Sequence, residues 1–151
     1  MHFDAPFRLG PFSVDAEGRL SLSRPAAAPA FLFRCQDRVV RAHLEQSDAD
    51  VERLTLQVAL ARVPSSASTP DGTLRPRSFA LLRWLEKAAP PAWRVVLLAD
   101  HRARLETKRR INLPITAAAL IGGLTSFALD LAPYLALMDD IGLTVSEHGT
   151  A

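Results

Sequence analysis

At 151 residues, 48% of them apolar and 23% charged, the chain has the length of one domain and enough apolar side chains for a core, which excludes an intrinsically disordered protein. The formal net charge of +2 hides an uneven layout: residues 1–62 balance, residues 63–110 carry ten basic against four acidic side chains, and residues 111–151 carry four acids and no Lys or Arg. A lone cysteine, Cys35, excludes an internal disulfide, and Met1-His2-Phe3-Asp4 has no basic stretch followed by an apolar one, so a cytoplasmic location is expected.

Phe12-Ser13-Val14 and Leu20-Ser21-Leu22 alternate apolar and polar residues around Asp15-Ala16-Glu17-Gly18, which predicts a β-hairpin. Arg24 to Pro29 is a proline-rich connector. A second hairpin is expected with Phe31, Phe33 and Cys35 on one face, a turn at Gln36-Asp37-Arg38, and Val40, Ala42 and Leu44 on the return strand. Residues 46–53 are polar and loop-like. Leu54, Leu56, Val58 and Leu60 then give the cleanest period-two pattern in the chain.

Pro64 to Gly72 has the composition of a loop. Pro76 suits the first residue of a helix whose apolar stripe is Leu81, Leu82, Leu85 and Ala88, closed by Pro90-Pro91. Residues 94–99 and 103–111 form a third hairpin around Asp100-His101. Pro114 opens a final helix, which Pro133 should kink or break and Gly142 should stop. The expected class is α+β, an antiparallel sheet built from hairpins in the order ββ-ββ-β-α-ββ-α with two helices on one face. Residues 1–143 are expected to form one domain, and residues 144–151 a polar, frayed tail.

Ile111 to Leu129 contains no charge and residues 131–138 add more apolar side chains, so residues 111–138 must be weighed as a membrane span, for which about 20 apolar residues suffice. Asn112, Pro114, Gly122, Gly123, Asp130 and Pro133 interrupt the segment, and an Asp near the centre of a span costs roughly 2.5–3.5 kcal/mol; a soluble helix is the better reading. On a helical wheel Leu120, Leu124, Phe127, Leu131 and Leu135 share the core-facing side. A second stripe, Thr116, Ala119, Gly123, Ser126 and Asp130, is small and polar. Its reading is a close helix–helix contact, within the domain or across a dimer, against the plain alternative of a face turned to water.

The residues offer no catalytic or metal-binding arrangement. His2, His43, His101 and His148 have no ligand spacing, Asp48 and Asp50 lack the Gly and Glu that a calcium loop requires, and no Gly-rich phosphate loop or Gly-x-Ser-x-Gly elbow occurs. Cys35 reads as a small buried thiol. No cofactor is expected. Asp139-Asp140 at a helix C-terminus is electrostatically unfavourable, which calls for a basic neighbour. In the third hairpin Arg102, Arg104, Lys108 and Arg110 line one side with Glu106 between them. Without interleaved aromatics, and with Trp84 and Trp93 assigned to the core, the plain reading of this ribbon is a solvated sheet face, ahead of a nucleic-acid site; a protein partner with an acidic patch, including the acidic C-terminal helix of a second copy, is the more interesting option.

Four segments stand in a suggestive order: a strand ending Leu60-Ala61-Arg62-Val63-Pro64, the helix Phe79-Ala80-Leu81-Leu82-Arg83-Trp84-Leu85, the hairpin from Arg94-Val95-Val96-Leu97-Leu98 to Arg104-Leu105-Glu106, and a long helix opening at Leu113-Pro114. Over residues 54–143 this layout resembles the type III secretion chaperone-like superfamily, which includes the bacterial sensory transduction regulator-like domains. The resemblance implies a fold and a mode: another protein bound as an extended segment over exposed sheet and helix surfaces, often by a homodimer, with no catalytic residues to carry over. The expected function is therefore a non-enzymatic protein-binding module of chaperone or adaptor type that self-associates. The alternatives are a structural subunit of a larger bacterial complex and a nucleic-acid-associated accessory protein using the basic 94–110 hairpin.

Overall fold

A computed structural model describes residues 5–9, 12–22, 30–45, 52–65, 72–112 and 115–143. The elements run β1 (Phe7–Leu9), β2 (Phe12–Val14), β3 (Leu20–Leu22), β4 (Ala30–Cys35), β5 (Arg38–Glu45), β6 (Glu52–Arg62), α1 (Leu74–Ala88), β7 (Trp93–Leu97), β8 (Arg102–Ile111) and α2 (Ala117–Asp140). The fold is α+β, as the hairpin pattern predicts. Two features were not foreseen: an additional first strand, and a division into a three-stranded sheet β1-β2-β3 and a five-stranded sheet β4-β5-β6-β8-β7.

Every strand pairing is antiparallel. Because α1 lies between β6 and β7, the β7–β8 hairpin arrives as a unit. Its second strand pairs with β6, while β7 and β4 become the two edges. The small sheet is held by backbone bonds at the start of α2: the Leu20 amide donates to the Ile115 carbonyl at 2.9 Å, and the Ala117 amide to the Gly18 carbonyl at 2.7 Å. Gly18 adopts φ +79° in the Asp15–Gly18 turn, a conformation that favours glycine.

One face of the five-stranded sheet is the core. Val40, Val58 and Leu105 oppose one another across β5, β6 and β8, as do Ala42, Leu56 and Thr107, and all are buried. Leu120, Phe127, Leu131 and Leu135 of α2 pack into this core, and Leu81, Leu82 and Leu85 of α1 join them. Trp93 on β7 meets Phe127, with ring centroids 5.4 Å apart. An antiparallel sheet covered on one side leaves the other to water, so Arg41 of β5, Arg53 of β6 and Arg102, Arg104, Glu106, Lys108 and Arg110 of β8 stand on the open face, whereas Arg38 of β5 is buried and Arg109 of β8 lies opposite Leu54 on the core side.

Several sequence expectations need correction. The strand read from Leu54 begins at Glu52, and α1 begins at Leu74, two residues before Pro76. Ala88 is exposed. Trp84 is not in the core: it is about half exposed, at the margin of the α1 stripe, where its ring covers Tyr134 of α2 at 6.3 Å. Pro133 neither breaks nor ends α2, which runs continuously through it. Pro133 lies on the exposed side, where water can bond the carbonyl that a proline leaves unpaired. The Pro-rich connector, Asp48, Asp50, His2, His148, Pro114 and the 144–151 tail lie outside the described residues.

Candidate functional site

Both ends of α2 are capped by its own sequence. Thr116 Oγ1 accepts the Ala119 amide at 3.2 Å, the usual work of a threonine N-cap. At the other end Gly142, at φ +79°, lets its amide reach the Asp139 carbonyl while Leu143 bonds Met138, both at 2.9 Å. This is a Schellman closure, and the buried Leu143 and Met138 make its hydrophobic contact.

Between the caps the helix has one satisfied side and one bare one. Its outward side presents Ala118, Ile121, Gly122, Thr125, Leu129 and Ala136, with Ile121 at 50% and Leu129 at 70% relative exposure. A surface helix ordinarily carries charge there; before Asp139 the only charged residue of α2 is Asp130. Ala118, Gly122, Thr125, Leu129, Ala132 and Ala136 repeat in alternating steps of four and three, the spacing of a helix–helix seam. By length and composition the helix could also cross a membrane, but here its leucine face is buried against the sheet.

The predicted stripe lies beside this seam. Ala119, Ser126 and Asp130 are exposed and Gly123 is half-buried, while Thr116 serves as the N-cap. The stripe meets no second helix within the described residues. Ala119 and Gly123 instead border a cleft of about 170 Å³ with Leu54, Leu56, Arg109 and Ile111. A Cβ added at Gly122 or Gly123 would have no atom within 4 Å. The contact between α1 and α2 lies further along, where the Tyr134 hydroxyl donates to the Ala88 carbonyl at 3.2 Å.

A feature the sequence did not reveal adjoins the bare face. Leu9 and Phe12 of the small sheet, Phe31 and Phe33 of edge strand β4, and Ile121 and Leu124 of α2 enclose a cleft of about 430 Å³. Its walls are apolar, as ligand and peptide clefts usually are. Phe31 and Phe33 were legible as one strand face, but their position at a sheet edge depends on the order of the strands.

The basic hairpin residues stand where the pleat puts them. Arg102, Arg104, Lys108 and Arg110 are on the open face of β8. Arg104 pairs with Glu106 at 3.5 Å and Arg102 with Asp100 at 3.2 Å, and Gln57 donates to Glu106 at 2.9 Å. Lys108 lies 3.5 Å from Glu45, which also accepts from Thr55 at 3.2 Å. Burial tends to raise the Glu45 carboxyl, but the Lys108 charge and the hydrogen bonds from Thr55, Lys108 and His43 outweigh it and hold it below the ordinary carboxylate range.

The helix C-terminus has the basic neighbour its acids require. Arg38 Nη2 lies 2.6 Å from Asp139 Oδ1. Among the described residues, no group of three His, Cys, Asp or Glu side chains is placed to hold a metal ion. Cys35 is buried, its Sγ lies 3.6 Å from the Ala128 carbonyl, and burial pushes its thiol pKa up. A thiol so placed is protonated and shielded, so iodoacetamide should label native Cys35 at least about a hundredfold more slowly than free cysteine. Rapid labelling of the folded chain, followed by mass spectrometry, would contradict this placement. In comparisons with known proteins, no family model, no curated protein and no solved structure matches the chain.

Proposed function

We propose that this chain is a non-enzymatic protein-binding module of chaperone or adaptor type that works as a homodimer. The observation that carries the reading is the outward side of α2. It is exposed, uncharged from Ala117 to Leu129, and studded with Ile121 and Leu129 next to the apolar cleft. An apolar helix face left in water costs free energy that a partner recovers, and small residues at a seam let a second helix approach closely. The layout of residues 54–143, which resembles a superfamily of small dimeric chaperones, supports the same reading.

The test is a sizing measurement by light scattering at tens to hundreds of micromolar. The wild-type chain should run as a dimer, and Leu129→Asp should run as a monomer whose unfolding midpoint matches that of the wild type diluted below its association range, since Leu129 contributes little to the core. Gly122 gives a second arm. Its Cβ would meet open space, so Gly122→Ala should stabilise the monomer by about 0.5–1 kcal/mol through helix propensity. Gly122→Leu should leave the fold intact and abolish association. A wild-type chain that stays monomeric throughout would sink the dimer.

A further inference from the structure

Directly opposed residues of an antiparallel sheet share a face, so the register places each side chain of the open face. Arg41 of β5 opposes Gln57, which opposes Glu106, which opposes Arg94 of β7. Two rows away Arg53 lies between Glu45 and Arg110. At the far end Arg62 opposes Arg102. Cations therefore come from four adjacent strands. The acids these rows supply, Glu45 and Glu106, are already engaged by Lys108, Thr55, Arg104 and Gln57.

Two features separate this surface from an ordinary solvated face. Like charges directly across a strand pair cost stability, and both Arg53–Arg110 and Arg62–Arg102 are such pairs. An anion lying across the strands would relieve that repulsion, and guanidinium forks match carboxylates in geometry. The second feature is aliphatic: Leu32 and Val39 are exposed among the arginines, with Leu32 directly opposite Arg41. No Phe, Tyr or Trp occurs in these rows, so nucleic-acid bases would have nothing to stack on. A phosphodiester backbone offers nothing to Leu32 and Val39, whereas a polypeptide does.

We propose that the open face of the five-stranded sheet binds an extended acidic segment of a partner protein, its carboxylates on Arg41, Arg94 and the Arg53–Arg110 pair and its aliphatic side chains against Leu32 and Val39. This rests on the reading of the chain as a protein-binding module and is independent of self-association through α2.

The experiment titrates the full chain, at physiological salt, into three fluorescein-labelled probes read by anisotropy: a peptide of glutamates interspersed with valines, a single-stranded DNA and a DNA duplex of matched length. The peptide should bind saturably and more tightly than either DNA. Arg41→Gln with Arg94→Gln should weaken peptide binding about tenfold or more. Arg77→Gln with Arg83→Gln, exposed on α1, should not. Arg110→Gln guards against misfolding, because it removes a like-charge opposition and should weaken binding at undiminished stability. The Leu129→Asp variant should bind the peptide as the wild type does, so loss of the dimer and loss of this site are read separately. Tighter binding of either DNA, binding indifferent to the sheet variants, or no binding to any probe would overturn the proposal.

Discussion

Phe127→Ala should destabilise the chain by about 3–5 kcal/mol, the usual range for deleting a fully buried aromatic ring. Phe127 is completely buried and stands where α2 crosses the sheet, its ring tilted 56° to that of Trp93. The truncation loses the transfer free energy of the ring, leaves a cavity that rigid strands close only partly, and forfeits an aromatic contact worth roughly 0.5–1.5 kcal/mol. For a domain of this size each kcal/mol moves the thermal midpoint by about 2–4 °C, so the drop should be roughly 6–20 °C. Thermal or urea unfolding followed by tryptophan fluorescence measures it. Leu129→Ala, two residues further along the same helix, is the internal control. Its side chain is mostly in water, and the expected change is within about 0.5 kcal/mol in the monomer. Equal effects at the two positions would mean that α2 is not seated on the sheet as described.

The second large effect is an asymmetry. Arg38 is 6% exposed and its partner Asp139 is 42% exposed, and Arg38 Nε is buried with no hydrogen-bond partner among the described residues. Asp139→Ala therefore strands a guanidinium in the core margin, a loss of about 3 kcal/mol. Arg38→Met leaves a carboxylate that water already reaches, and fills the site with an apolar side chain of similar length. That variant should cost no more than about 1 kcal/mol. Combining the two should recover most of the stability lost in Asp139→Ala, which a double-mutant cycle reads directly. If both single variants cost the same, the pair is a surface contact in solution and Arg38 is hydrated.

The parts of this protein that were legible in the sequence are those set by neighbours along the chain. Period-two alternation placed β2 to β6 because a half-buried strand must alternate, the third hairpin was read around its Asp100-His101 turn, and the order of hairpins is enough for the α+β class. The helix stop at Gly142 was readable because only glycine takes its backbone conformation at little cost. The basic neighbour of Asp139-Asp140 could be anticipated from electrostatics, but not as Arg38, which is 101 residues away in the chain. Trp84 was misplaced because a residue at the margin of an apolar stripe is sorted by what the next element covers. The influence of Pro133 was overstated because a proline's effect depends on whether its face is wet.

For the candidate site, the sequence by itself determined which residues lack charge and which carry it: a neutral helix and a basic ribbon, both functions of local order and period. Only the tertiary structure decided which of these surfaces remain open. Covering the leucine face of α2 with the sheet left its small-residue side bare and formed the apolar cleft against β4, whose edge position follows from a strand order that periodicity does not contain. Pairing β6 with β8 set Arg53 against Arg110 and Arg62 against Arg102. Exposure and cross-strand opposition are properties of residues brought together over long chain distances, which is why the arginines were visible in the sequence while the shared face they form was not.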